Sequence, residues 1–156
     1  MKTFKQHILE KLKVSKLKVS TINTTEHTLF PKTKYELMFM IDDEIAKNGN
    51  KCSLNHIDVS EITDMSRLFY GSDFNGDISL WDVSNVKDME SIFSLSEFNG
   101  DISGWDVSKV EDMRYMFCYS KFNGDISDWD VSGVKHTERM FDDSPLQNNP
   151  PKWYKK

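Results

Sequence analysis

Four aspartates, Asp58, Asp82, Asp106 and Asp130, recur at a strict interval of 24 residues. A second set, Asp77, Asp101 and Asp125, keeps the same interval inside the tripeptide "NGD". Carboxylates in register have two uses. They can gather a cation or a basic partner, and a reason is needed, because like charges about 4.8 Å apart on neighbouring strands repel by about 1 kcal/mol even in water. Alternatively, each accepts a hydrogen bond from the backbone two residues on and closes an Asx-turn, after which Ser60, Ser84, Ser108 or Ser132 caps a helical turn. The residues favour the turn. For the second set the ion to consider is calcium, which stacked Asp-Gly turns enclose in β-rolls. Lys121 stands where the other copies place Asp73 and Glu97, and that argues against a cage. No metal and no cofactor are expected. His7, His27, His56 and His136 share no phase and have no Cys or Ser at a catalytic spacing, and no glycine-rich phosphate loop occurs. The chain is expected not to be an enzyme.

The positioning elements follow from a phrase said three times. "FNGDISLWDVSNVKDMESIF" fills residues 74–93, and near-copies fill 98–117 and 122–141. Ile57 upstream and Trp153 downstream fall on the phase of Trp81, Trp105 and Trp129, so the repeat region spans residues 52–154 as four copies and a partial fifth. A fixed period of this size predicts a solenoid. Within a copy, Ile78, Trp81 and Val83 keep the L-x-x-L-x-L spacing of a leucine-rich repeat. Trp81 and Val83 alternate with Asp82 and Ser84 as a short strand would. Val86, Met89, Ile92 and Phe93 then fall on one face of a short helix. "FNGD" supplies an Asn-Gly turn through positive φ. The expected fold is α/β: a short leucine-rich-repeat-like solenoid with parallel strands on one face, short helices on the other and a helical N-terminal cap.

Columns of apolar residues would fill its core: Phe69, Phe93, Phe117 and Phe141; Leu68, Ile92, Met116 and Met140; Met65, Met89 and Met113. Each large side chain so buried contributes roughly 1.5–3 kcal/mol. About three copies are needed before such an array is stable, so the ends matter. Residues 29–51 read as the cap, with Thr33 and Glu36 as a capping box, an apolar stripe of Leu37, Ile41 and Ile45, and Asn48-Gly49 as the stop. The fourth copy departs from the pattern at His136-Thr137, and three prolines in "SPLQNNPPKWY" forbid another strand. Residues 1–28 read as a basic amphipathic helix, with Phe4, Ile8, Leu9 and Leu12 on one face, followed by a polar linker.

Composition sets the outer bounds. The 156 residues are 38% hydrophobic and 29% charged, a globular balance. The net charge of −5 divides into +5 on residues 1–20 and −10 on the rest, so the body should repel nucleic acid. The basic segment could dock to a larger assembly. Cys52 and Cys118 lie at different phases almost three copies apart, too far for a disulfide. No apolar run approaches a membrane span, and neither a secretory signal nor a lipid-accepting cysteine is recognisable, which points to an intracellular or virion-associated location.

The pattern "FNGDIS-WDVS-V-DM—MF" resembles the repeat of BspA-like leucine-rich repeat surface proteins, also abundant in mycoplasma lipoproteins. That resemblance implies a leucine-rich-repeat-like solenoid, no catalysis, and adhesion to proteins of a host or neighbouring cell at the cell surface. "MKTFKQHILEKL" is similar to short peptides that direct internal proteins into the heads of tailed phages, with Ile8-Leu9-Glu10 matching their Ile-x-Glu processing site.

What varies between copies marks the candidate binding face. Leu80/Gly104/Asp128, Asn85/Lys109/Gly133 and Lys87/Glu111/Lys135 differ at three fixed phases beside the Asp82, Asp106 and Asp130 column, and Leu95/Tyr119/Asp143 differ further on. The expected function is a non-enzymatic, adhesin-like module presenting these residues to a protein ligand. The alternative is a phage virion or assembly component targeted by its N-terminus.

Overall fold

The computed structural model describes residues 26–155; the expected helix over residues 1–13, most of the polar linker and His7 lie outside them. Helix α1 spans Lys34–Asn48. Thr33 Oγ1 accepts the Glu36 N–H at 3.2 Å, as an N-cap should. The capping box is only half formed, because the Glu36 carboxylate accepts the N–H of Lys32 at 2.7 Å rather than that of Thr33. Leu37, Met40 and Ile41 are buried, and Gly49, at φ 82°, ends the helix by donating to the Ile45 carbonyl at 2.8 Å. These buried residues join the same hydrophobic core as the repeats.

The expected arrangement of parallel strands and short helices is not what the repeats form. Among the described residues α1 is the one α-helix, a 3-10 turn spans Pro145–Gln147, and no strand extends beyond an isolated bridge. The bridges are parallel. Asp64, Asp88, Asp112 and His136 are linked in series, and Ser53 bridges Asp77, each step joining residues 24 apart. Trp81 and Val83 are buried and Asp82 is exposed, so the alternation is present without a strand. Here the chain turns instead: the Trp81 N–H donates to Ile78 at 3.2 Å and the Val86 N–H to Val83 at 2.9 Å.

The segment from Met89 to Ser96 explains why no helix forms. Odd-numbered amides cross to the next copy: Met89 donates to Asp112, Ser91 to Arg114, Phe93 to Met116 and Leu95 to Cys118, at 2.9–3.0 Å. Even-numbered amides stay within the copy, where Ile92 donates to Met89, Ser94 to Ser91 and Ser96 to Phe93, at 3.1–3.2 Å. A helix needs every amide for its own i−4 carbonyl. This segment gives half of them to its neighbour. The geometry is reached by placing Ser91 and Leu95 at φ 55° and 59°, and Tyr115, Tyr119, Arg139 and Asp143 repeat it one and two periods later. Such left-handed positions cost a non-glycine residue about 1–2 kcal/mol. The first copy has Arg67 at one of these sites and Gly71 at the other.

In-register copies build the core as stacks. Phe93 lies 5.6 Å from Phe69 and 5.8 Å from Phe117, ring centre to ring centre, and Phe117 lies 5.8 Å from Phe141. Phe74, Phe98 and Phe122 form a second stack at 6.2 and 6.3 Å. The two interlock, with Phe98 at 4.3 Å from Phe93 and Phe122 at 4.3 Å from Phe117. Trp81 stacks on Trp105 and Trp129 on Trp153, each at 6.5 Å, in a third column of which Ile57 occupies the first place. Each indole N–H donates to a carbonyl 27 residues back, from Leu54, Ile78, Ile102 and Ile126, so each copy is pinned to the one before it. The partial fifth copy therefore continues the tryptophan stack, and Tyr154 packs edge-on against Phe141 at 4.9 Å.

The glycine of "FNGD" needs a different explanation from the one its sequence suggests. Gly76, Gly100 and Gly124 are not at positive φ. A Cβ on Gly100 would lie 2.8 Å from the ring of Phe98, and one on Gly76 would lie 1.9 Å from the Cys52 carbonyl oxygen. Space, not handedness, selects glycine there.

Candidate functional site

The aspartate columns resolve into turns. The Ser60, Ser84, Ser108 and Ser132 amides donate to Asp58, Asp82, Asp106 and Asp130 Oδ1 at 3.0–3.1 Å, the Asx-turn. The serines cap no helix, since none follows, and the column faces no sheet. Asp77, Asp101 and Asp125 do the same toward Ser79, Ser103 and Ser127, taking both amide and hydroxyl. A third column, which sequence reasoning missed, is Asp64, Asp88 and Asp112, whose Oδ1 atoms accept from Ser66, Glu90 and Arg114. The signal for it was available: "DMS", "DME" and "DMR" recur at the same interval. In the fourth copy His136 takes that place and cannot accept in this way with a carboxylate.

Electrostatics agree with the geometry. The hydroxyl and amide of Ser108 hold the Asp106 carboxyl below the ordinary carboxylate range, and those of Ser132 and Ser127 do so for Asp130 and Asp125. Partial burial works against this at Asp58, Asp64 and Asp112, yet their hydrogen bonds outweigh it and they too are lowered. These carboxylates are occupied by the chain itself. Among the described residues no three His, Cys, Asp or Glu side chains gather as a metal site. Cys52 and Cys118 are both free thiols, raised by burial. His27 lies 3.8 Å from Asp58, His56 3.5 Å from Glu44 and His136 3.6 Å from Glu138, three separate pairs.

The varied residues lie at three phases, and within two of them the structure links one copy to the next. Leu80 is 60% exposed, and Gly104 and Asp128 are exposed at the same phase. Asn85 donates to the Ser60 carbonyl and its Oδ1 accepts from Lys109, both at 2.9 Å. Gly133 is the exception to free exposure, because a Cβ there would meet the Ser108 carbonyl at 2.8 Å. Lys135 pairs with Glu111, which also feels Lys87, so this phase is a ladder of alternating charge. Part of the variation is thus spent holding copies together, while Leu80, Gly104 and Asp128 are left to solvent.

Four in-register copies, stacked through their rings and joined at one end by a capped helix, define a tandem-repeat protein. The family described as "Mycoplasma protein of unknown function, DUF285" matches residues 33–153, and the chain belongs to that family. No curated protein and no solved structure matches it. Among the described residues no helix is long and apolar enough to cross a membrane.

Proposed function

We propose that this chain is a non-enzymatic protein-binding module, adhesin-like in the manner of the BspA-like surface repeats that its sequence resembles. One observation carries the reading. The letters that repeat are buried or hydrogen-bonded into the array, as with Phe93, Trp105 and Asp106, whereas Leu80, Gly104 and Asp128 differ at an exposed phase. A frame that keeps its core and changes its surface is suited to presenting that surface. The test is flow cytometry of fluorescently labelled full chain on cultured epithelial cells, before and after trypsin treatment of the cells. Saturable binding that trypsin removes, and that Leu80→Asp with Asp128→Lys weakens at least about tenfold without changing the melting temperature, is the expected result. Equal binding by the variant and the unaltered chain would overturn the proposal.

A further inference from the structure

The hydrogen bonds leaving Met89, Ser91, Phe93 and Leu95 belong to continuous chains that end on the fourth copy. The peptide whose carbonyl accepts from one copy donates its own N–H to the next. Phe69 is bonded in this way to Ile92, Phe93 to Met116 and Phe117 to Met140, at 2.9–3.0 Å. The phases of Met89, Ser91 and Leu95 do the same. Four rows of peptide dipoles thus run head to tail through the array, as they do along a helix, with their positive amide ends on residues 137–143. The Asp143 amide is taken by Gln147 Oε1 at 2.7 Å. Those of Thr137, Arg139 and Phe141 have no acceptor among the described residues.

A further amide joins them. In the first three copies an aspartate carboxylate accepts the N–H two residues on: Asp64 from Ser66, Asp88 from Glu90 and Asp112 from Arg114. His136 replaces the aspartate in the fourth copy, and the Glu138 amide has no acceptor among the described residues. Three consecutive N–H groups, those of Thr137, Glu138 and Arg139, are therefore free at the positive end of the dipole rows. Successive amides of this kind attract anions. The same three residues line an open cleft of about 490 Å³ with Lys135, Asp142 and Lys155. Asp142 is held by Arg139 at 2.7 Å, Lys135 is committed to Glu111, and Glu138 lies 3.6 Å from His136. Lys155 forms no ion pair among the described residues.

We propose that this end of the array binds an external carboxylate, which stands in for the aspartate that the fourth copy lacks. The chain itself shows the preference, because in each of the three earlier copies the acceptor at this amide is a carboxylate. Lys155 gives the charge a partner, and the dipole rows favour it further. The group is carried on an acidic peptide segment or on a small organic acid, since both present the same oxygens. The site shares no residue with Leu80, Gly104 and Asp128, so it is independent of the reading above.

Titration of the isotope-labelled full chain, followed through its amide resonances, tests this with two probes: citrate, and a terminally blocked peptide of three glutamates. The expected result is a saturable downfield shift of the Thr137, Glu138 and Arg139 amides with at least one probe, and the tighter of the two identifies the source. His136→Asn returns an oxygen acceptor to the Glu138 amide without adding a negative charge. It should weaken binding at least about tenfold while keeping or raising the melting temperature. Lys155→Glu should also weaken binding and leave the melting temperature unchanged. No shift with either probe would overturn the proposal. So would shifts that His136→Asn or Lys155→Glu leaves as they were, or inorganic phosphate binding as tightly as the better probe.

Discussion

Gly100 and Gly104 sit four residues apart in one copy, and alanine should act on them with opposite sign. At Gly100 the new methyl would lie 2.8 and 2.9 Å from Phe98 ring carbons and 3.1 Å from the Gly76 carbonyl oxygen. Phe98 cannot give way. It is fully buried, with Phe74 at 6.2 Å on one side, Phe122 at 6.3 Å on the other and Phe93 at 4.3 Å. Overpacking of this kind costs about 1–3 kcal/mol. At Gly104 nothing lies within 4 Å of the new methyl and φ is not positive. Alanine there should stabilise by about 0.4–1 kcal/mol, through reduced freedom of the unfolded chain. That unfolded-state gain is common to both variants, so their difference isolates the strain, about 1–3 kcal/mol. Guanidinium titration followed by far-ultraviolet circular dichroism and tryptophan fluorescence measures it, provided the two probes coincide. Equal midpoints for the two variants would refute the claim that room for the phenylalanine stack selects glycine in "FNGD".

Two further outcomes are expected. Asp106→Asn keeps the oxygen that accepts the Ser108 amide and should change stability little, whereas Asp106→Ala loses the turn and should cost about 1 kcal/mol; equal losses measured in the same titration would show that charge, not the turn, is what matters. Acid should unfold the protein, because Asp58, Asp64, Asp77, Asp101, Asp106, Asp112, Asp125 and Asp130 are all lowered in the folded state. The native state then binds fewer protons than the unfolded one, so their stabilisation is complete above the ordinary value of about 3.9 and is lost as pH falls through the lowered values. A melting temperature that stays level from pH 6 down to about pH 2.5 would contradict this.

The period and the core were legible because burial repeats at fixed phase: the tryptophan and phenylalanine columns, the Asx-turns and the place of Trp153 all follow from spacing. Helix α1 was legible through Thr33 and Gly49, whose capping chemistry is local. The elements within a copy were not. Val86, Met89, Ile92 and Phe93 have the spacing of a helix face, but i→i+3 turns alternating with bonds to the next copy bury the same residues. Nothing in the sequence reports where an amide finds its acceptor. The left-handed positions were hidden for a related reason, because Ser91, Leu95, Tyr115 and Tyr119 are residues that avoid that conformation when alone. The tryptophans' donation to the preceding copy was equally invisible. The exposed letters were found by variation between copies, though Gly133 proved to be shaped by the Ser108 carbonyl and not by solvent.

The alternation of amides between copies is what replaces a helix in each copy, and it runs through repeated and varied positions alike. Scalar coupling across hydrogen bonds, measured by nuclear magnetic resonance on isotope-labelled protein, observes it directly. Coupling from the Phe93 amide nitrogen to the Met116 carbonyl carbon, and from Ser91 to Arg114, is the expected result, with Ile92 coupled to Met89. Coupling of Phe93 to the Met89 carbonyl, four residues back in its own copy, would mean that the segment is a helix and would contradict the account.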